Sequence, residues 1–94
     1  MVKDKWAADY LMILGCHTRI RILKFLKRKP RFFNEIAEHI GMHRTTVSTH
    51  LRMMCAFGFV KREYASRHTE YTLLDYDVFK ILKLIPKRRT NDTL

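Results

Sequence analysis

The stretch FNEIAEHIGMHRTTVSTHLRMM, residues 33–54, has the pattern of two short helices joined by a tight turn. In its first part, Ile36, Ala37 and Ile40 recur at helical spacing, and Gly41 follows them as a C-terminal cap. A second amphipathic segment begins within a few residues of this glycine. A short helix, a Gly-containing turn and a second helix with a polar face are typical of a helix-turn-helix unit.

The second helix of this unit, predicted over about residues 43–57, has two different faces. At 100° per residue, Val47, Leu51 and Met54 share the inner face, and His50 lies at its edge. We expect His50 to be a structural, hydrogen-bonded residue. The outer face consists of Thr, Ser and Arg, although Glu, Lys and Gln have higher helix propensity than Thr. A polar face of this composition indicates a function, and the alternative is a face that is merely solvated.

Two further helices are predicted before this unit. The first covers residues 5–14, with Asp4 as its N-cap and Gly15 at its end. The second covers residues 17–28, and Pro30 marks its end. Both have an apolar stripe, and the second has a basic outer side.

After the unit, residues 60–74 alternate between apolar and polar side chains around a short basic turn, which predicts a two-stranded hairpin. Asp75 or Asp77 then caps a last helix that ends at Ile85. The predicted fold is mainly α with a small β-hairpin, in the order α-α-α-α-β-β-α.

Length and composition limit the class of protein. The 94 residues suffice for one domain, predicted over residues 1–86, followed by a basic, flexible tail over residues 87–94. Lys and Arg number 19 against 9 Asp and Glu, a formal net charge of +10, which favours a polyanionic partner. A hydrophobic content of 47% excludes a disordered basic chain. We expect a cytoplasmic protein without a membrane partner, because no stretch approaches the ~18 apolar residues of a membrane helix and no signal peptide is visible.

The two cysteines, Cys16 and Cys55, lie far apart and have no CxxC or Cys/His spacing, so neither a zinc site nor a redox motif is indicated. They are either ordinary thiols or partners in an intrachain or intersubunit disulfide. The chain also has no Gln, and its Asn residues are Asn34 and Asn91. That bias is typical of heat-adapted proteins, in which intracellular disulfides are more common.

A polar helix face and a basic hairpin are suited to a DNA groove. Arg44, in the first turn, can bind guanine O6 and N7, and Thr or Ser can bind bases or phosphates. The expected contact residues of this helix are His43, Arg44, Thr45, Thr46, Ser48, Thr49 and Arg52. Those of the hairpin are Lys61, Arg62, Arg67 and His68. The hairpin residues would meet phosphates or a minor groove, unless the charges only protect the hairpin from edge-to-edge aggregation. Lys87, Arg88 and Arg89 either add a sequence-independent contact or only solubilise the tail.

The order of elements looks like the winged-helix fold, and three segments resemble the ArsR-type family of transcriptional regulators. These segments are CHTRIRILKFL, FNEIAEHIGMHRTTVSTHLRMM, and GFVKRE followed by TEYTL, within residues 11–74. The most specific parts are Thr18-Arg19, Ser48 with His50-Leu51, and Gly58-Phe59-Val60. Members of that family are homodimers that bind palindromic operator DNA, and the resemblance implies the same for this chain. Small basic winged helices of this kind also resemble regulators encoded by archaea and their viruses.

The first and last helices support a dimer independently of the resemblance, because they carry more apolar surface than one small core needs. The expected interface residues are Trp6, Tyr10, Ile13, Phe79, Leu82 and Ile85. A two-fold dimer would place its recognition helices in major grooves about 34 Å apart.

The sequence departs from the metal-sensing members of that family. They carry Cys-x-Cys at the third helix, or His and Asp pairs on the final helix. Here the corresponding segments, RFFNEIAEHI and DYDVFKILKLI, have no cysteine and no His, respectively. We therefore expect no metal, no cofactor and no small-molecule effector.

The leading hypothesis is a sequence-specific, homodimeric regulator of transcription that binds double-stranded DNA. The alternatives are a protein-interaction module that uses the same fold and a non-specific DNA-binding protein. An enzyme is not expected, because the five His are dispersed, no Gly-rich phosphate loop occurs and the carboxylates lie among basic residues.

Overall fold

The fold is given by a computed structural model, which describes residues 2–87. Its elements are α1 (Val2–Leu14), α2 (His17–Leu26), β1 (Arg31–Phe32), α3 (Phe33–Ile40), α4 (Arg44–Ala56), β2 (Val60–Ala65), β3 (His68–Leu73) and α5 (Val78–Leu84). The predicted order of five helices and a hairpin is confirmed, with one short strand added. Arg88, Arg89 and the rest of the predicted tail beyond Lys87 lie outside the described residues.

The first helix begins earlier than the sequence indicates. α1 starts at Val2, so Asp4 lies in its first turn and is not the N-cap. A carboxylate in the first turn is still favourable there, because the N-terminal end of a helix carries partial positive charge. The helix ends as predicted, where the N–H of Gly15 donates to the carbonyl of Leu11 at 2.8 Å.

The second helix ends at Leu26, two residues before the predicted position. The N–H of Lys27 bonds to the carbonyl of Lys24 at 3.3 Å, an i→i−3 contact that tightens the last turn. Pro30 follows closely, and it disfavours helical geometry in the residue before it. The helix therefore stops within reach of the proline but not next to it.

β1 is an element that the sequence does not reveal. It pairs antiparallel with β3, with Arg31 opposite Tyr71 and Phe32 opposite Glu70, so the sheet has the order β1-β3-β2. Two residues are too few to show the alternation by which a strand is recognised. The strand connects the hairpin directly to the start of α3.

The hairpin formed by β2 and β3 pairs from Val60 opposite Leu73 to Ala65 opposite His68. Its two turn residues, Ser66 and Arg67, have φ angles of 51° and 68°. Two successive positive φ angles match the twist of the flanking strands. The turn therefore projects beyond a fully paired ladder.

The helix-turn-helix unit has close to its predicted bounds. α3 ends at Gly41, whose φ of 75° is in the left-handed region. α4 ends in a Schellman motif, in which the N–H groups of Gly58 and Phe59 bond to the carbonyls of Cys55 and Met54 at 3.1 and 2.9 Å. Gly58, with a φ of 79°, turns the chain from α4 into β2.

One hydrophobic core joins all the helices and the hairpin. Its buried residues are Ile13, Leu14, Ile22, Leu23, Leu26, Ile36, Ala37, Ile40, Val47, Leu51, Met54, Phe59, Val60, Tyr71, Leu73 and Val78. α4 packs against α2, α3 and β2, which leaves its opposite side exposed. Within residues 2–87, no helix combines the length and the apolar character needed to cross a membrane.

Candidate nucleic-acid interface

α4 has the two faces that the helical projection predicts. Val47, Leu51 and Met54 are fully buried. Within the predicted contact set, the exposed residues are His43, Arg44, Thr45, Thr49 and Arg52, and the half-buried ones are Thr46 and Ser48. The structure therefore presents most of this set on one accessible surface.

Arg44 is held against α3 by two contacts. Its Nη1 donates to Oδ1 of Asn34 at 2.8 Å, and its guanidinium lies 4.8 Å from the ring centroid of Phe33. The two neighbours orient the arginine along the outer surface of the helix-turn-helix unit. Sequence reasoning missed Asn34 and Phe33, because only the packing of α3 on α4 brings them to the start of α4.

Two polar groups of the first turns bond within α4 itself. Nδ1 of His43 accepts from the N–H of Thr45 at 3.2 Å, so His43 caps the helix. The hydroxyl of Thr49 donates to the carbonyl of Thr45 at 2.9 Å. The hydroxyl proton of Thr49 is thus used inside the helix, and the exposed side chain keeps a methyl group and an oxygen that can accept.

His50 contacts an arginine at the edge of the inner face. Nη1 of Arg19 lies 3.2 Å from Nδ1 of His50. Burial lowers the pKa of His50, and the positive charge of Arg19 lowers it further. The ring therefore has the hydrogen-bonded position that the sequence indicates.

The tip of the hairpin lies next to the start of the helix-turn-helix unit. The His68 ring centroid is 5.5 Å from that of Phe32, and Arg67 and Arg44 line the same cleft. Three groups that can carry positive charge, from the turn, the hairpin and the recognition helix, therefore share one surface. Cations gathered in this way are suited to a phosphate backbone.

A second cleft separates α4 from the base of the hairpin. Its lining includes Ser48, Arg52, Cys55, Lys61, Arg62 and Tyr71. Lys61 is paired with Glu63 at 3.4 Å, and Arg62 is exposed. Two Arg and a Lys thus border the space between the helix and the hairpin.

Cys55 lies in that second cleft, where burial raises the pKa of its thiol and the charge of Arg62 opposes the rise. Cys16 immediately precedes α2, and both cysteines are free thiols in the structure. A disulfide, whether within the chain or between subunits, stays a prediction.

The residues predicted for a dimer interface fall into three groups. Trp6 and Ile85 are 63% and 55% exposed, and Phe79 and Leu82 are half-buried. The assignment of Ile13 is wrong: its side chain is fully buried in the core, because it lies on the inner face of α1. Among the predicted interface residues, Trp6 and Ile85 are thus the most accessible to another chain.

Tyr10, the last of the predicted interface residues, makes contacts within its own chain. Its hydroxyl donates to Oδ2 of Asp75 at 2.8 Å, and its ring lies between those of Trp6 and Phe59. Burial and then the bond to Asp75 raise the pKa of Tyr10. Sequence reasoning missed three other apolar side chains on these helices, Leu11, Met12 and Leu84, which are 59%, 52% and 80% exposed.

Comparison with known sequences identifies related proteins. A family model described as "Bacterial regulatory protein, arsR family" matches residues 16–62. The chain is 35% identical over 75 residues to the HTH-type transcriptional regulator NmtR of Mycobacterium tuberculosis, covering 80% of this chain and 62% of NmtR. It is 29% identical over 77 residues to a "Probable mercury resistance operon repressor" of Streptomyces lividans, covering 82% of this chain and 62% of that protein. The chain thus spans less than two thirds of these curated relatives.

Solved structures with the same fold extend the comparison. NolR from Sinorhizobium fredii superposes with a TM-score of 0.78 at 23% identity, covering 86% of this chain and 81% of NolR. A fragment of Mb0332 from Mycobacterium bovis superposes with a TM-score of 0.77 at 25% identity, covering 89% of this chain and 78% of the fragment. This fragment is described as a "homodimeric winged helix-turn-helix DNA-binding domain".

Proposed function

The chain belongs to the arsR family of bacterial regulatory proteins, and on this basis we propose that it is a homodimeric, sequence-specific regulator of transcription. It binds double-stranded DNA through α4 and the hairpin of β2 and β3. The observation that carries the proposal is the exposed polar face of α4 beside a basic hairpin. The names of its relatives as transcriptional regulators support it.

In this proposal, α4 reads the major groove. Arg44 contacts a guanine from the N-terminal end of the helix, and Thr45, Thr49 and Arg52 contact bases or phosphates further along. His43 caps the helix at the same end. Because Asn34 and Phe33 hold Arg44, the arginine is oriented before DNA binds.

The hairpin contributes affinity with little sequence information. Arg67 and His68 at its tip contact the phosphate backbone or an adjacent minor groove, and Lys61 and Arg62 lie nearer its base. Lys87, at the end of the described residues, is exposed and can add a further backbone contact.

Dimerisation uses the outer residues of α1 and α5. Trp6, Leu11 and Leu84 are exposed apolar side chains on these two helices. Burial of such surface between two copies of the chain is favourable, and a two-fold axis would pair the same patch with itself. The homodimeric state of the Mb0332 domain supports a dimer, and the exposed residues of α1 and α5 are our proposal for its interface.

A duplex selected from a random library supplies the DNA for the test. Fluorescence anisotropy then compares the selected duplex with a scrambled one over a salt series. We expect tighter binding to the selected duplex at each salt concentration. Equal affinity for both would contradict the sequence-specific proposal.

Two arginine variants separate base contact from phosphate contact. Arg44→Ala should lower the preference for the selected duplex by about 1–3 kcal/mol, because it removes a base contact. Arg67→Ala should weaken both duplexes alike and reduce the salt dependence, because it removes a phosphate contact. If the two variants exchanged these effects, the assignment of the helix and the hairpin would be reversed.

We further propose that DNA binding does not depend on a metal. One relative is named as a mercury resistance repressor, but here the segment around α3 has no Cys and the segment around α5 has no His. Anisotropy with added zinc or cadmium, and with a chelator, tests this point. A metal-dependent change in affinity for the selected duplex would overturn it.

A further inference from the structure

One guanidinium, that of Arg19, connects three helices. Arg19, in α2, donates from Nε to the carbonyl of Ile13 at 2.7 Å and from Nη2 to the carbonyl of Met12 at 3.1 Å. Its Nη1 lies 3.2 Å from Nδ1 of His50 in α4. We propose that Arg19 and His50 form a proton-sensitive link between α1 and the recognition helix, and that protonation of His50 weakens DNA binding. The inference rests on the proposed function.

The α1 side of this link is fixed by backbone chemistry. The last carbonyls of a helix have no partner within the helix, and α1 ends at Leu14. Arg19 binds two of these carbonyls with the planar donors of one side chain, which sets the direction of the end of α1 relative to α2. A lysine could not make both contacts with the same geometry.

The α4 side depends on the charge of one ring nitrogen. Arginine has donors only, so the contact requires Nδ1 of His50 to accept, and only a neutral imidazole can accept. Protonation turns both nitrogens of His50 into donors and places two cations 3.2 Å apart. The hydrogen bond is then replaced by repulsion.

The surroundings of His50 favour its neutral form. Arg19 is the charged group that faces the ring from α2, and α1 contributes backbone carbonyls to the same guanidinium. The neighbours of His50 one turn away on α4 are uncharged: Thr46, Val47, Met53 and Met54. Among the described residues, no carboxylate contributes to lowering or raising the pKa of His50. The link is therefore intact at neutral pH and opens in acid.

The link can affect DNA binding because it joins two helices with different functions in the proposed dimer. α1 belongs to the interface, and α4 carries the reading face. The separation of two half-sites depends on how each recognition helix is held relative to the two-fold axis. Loss of the contact between Arg19 and His50 removes the polar bridge between α4 and the end of α1, and makes that separation less well defined.

Anisotropy at several pH values between about 5 and 8 tests the link with His50→Asn. The carboxamide oxygen of Asn can accept from Arg19, and it does not titrate. We expect the ratio of the wild-type Kd to the variant Kd to rise in acid, by at most tenfold per pH unit, because one proton is involved. Effects of the other histidines cancel in this ratio, because both proteins contain them. His17→Asn, at an exposed position, is the matched control and should follow the wild type.

A second measurement does not need DNA. In an NMR titration, the amide of Gly15 at the end of α1 should shift together with the His50 ring in the wild type, and not in His50→Asn. The proposed link would be overturned if the Kd ratio were the same at every pH. It would also be overturned if the Gly15 amide did not shift while the His50 ring titrated. Failure of the wild type to prefer the selected duplex at pH 7.5 would instead overturn the proposed function. In that case, the NMR titration would still test the contact between Arg19 and His50.

Discussion

Arg44 and Asn34 show how a side chain of one helix is oriented by another. The bond of 2.8 Å between them is exposed, so its own contribution to stability is small. The bond instead affects the direction of the Arg44 side chain, because it limits the rotamers of this long side chain before DNA binds. The energetic consequence therefore belongs to recognition and not to folding.

We expect Asn34→Ala to lower the preference for the selected duplex with little change in the melting temperature. Fluorescence anisotropy on selected and scrambled duplexes measures the preference. The Arg44→Ala background is the control, since Asn34→Ala should have no further effect there. An equal loss in both backgrounds would mean that Asn34 acts on DNA directly.

Tyr10 ties α1 to the segment before α5. Tyr10→Phe removes the bond to Asp75 and keeps the ring contacts, so the free energy of unfolding should fall by about 1 kcal/mol. Tyr64→Phe is the matched control, because Tyr64 is 76% exposed on the hairpin. Urea unfolding of both variants gives the comparison, and equal stabilities would show that the Tyr10 hydroxyl contributes nothing.

His50 also affects stability as a function of pH. Its pKa in the folded chain is lowered, whereas an unfolded His titrates near ~6.5. As pH falls through that value, the unfolded state takes up a proton first, and stability decreases until the folded-state pKa is passed. We expect the melting temperature of the wild type to fall more than that of His50→Asn between about pH 7 and pH 5. Parallel melting curves across this range would exclude the effect.

At the scale of elements, the C-terminal end of α4 and the tip of the hairpin rely on left-handed backbone. Gly58 adopts this conformation without a side chain, whereas Ser66 and Arg67 adopt it with one. Gly58→Ala should lower the free energy of unfolding by about 1–2 kcal/mol. Ser66→Gly is the opposite change at a similar φ and should not destabilise the chain. Urea unfolding tests both, and an unaffected Gly58→Ala would show that the cap is not needed.

The helix-turn-helix unit could be predicted from sequence because its signals are local. Apolar spacing fixes α3, Gly41 ends it, and the projection of α4 assigns Val47 to the core. β1 could not be predicted, because its pairing with β3 is a contact between distant parts of the chain. Ile13 was wrongly assigned to the interface because the sequence does not show whether an apolar residue of α1 faces the core or a partner chain. That also depends on contacts with distant parts of the chain.

The candidate contact residues were predictable as a type, but not their partners. A polar helix face and a basic turn can be read from the chain. The bonds of Arg44 to Asn34 and of Arg19 to His50 depend on how three helices pack. Sequence reasoning therefore identified His50, but it missed the partner of His50, Arg19, and the partner of Arg44, Asn34.

At the scale of the whole molecule, the exposed apolar residues of α1 and α5 predict the oligomeric state. Leu84 is 80% exposed, so Leu84→Glu should fold normally, but it should place charge in the proposed interface. We expect sedimentation to show a dimer for the wild type and a shift toward monomer for the variant. Tyr64→Glu, on the exposed hairpin, should leave the dimer unchanged. A monomeric wild type would contradict the proposed assembly.

The two-residue strand β1 also has a consequence for how much of a duplex one protomer covers. Because β1 pairs with Glu70 and Tyr71 in the middle of β3, the paired part of the hairpin is held beside the start of α3. The turn at Ser66 and Arg67 is the part of the hairpin furthest from this anchor. Residues inserted at the turn would lengthen the protein's reach over flanking base pairs without changing the register of α4 in its groove, so footprint size can change while the recognised sequence stays the same.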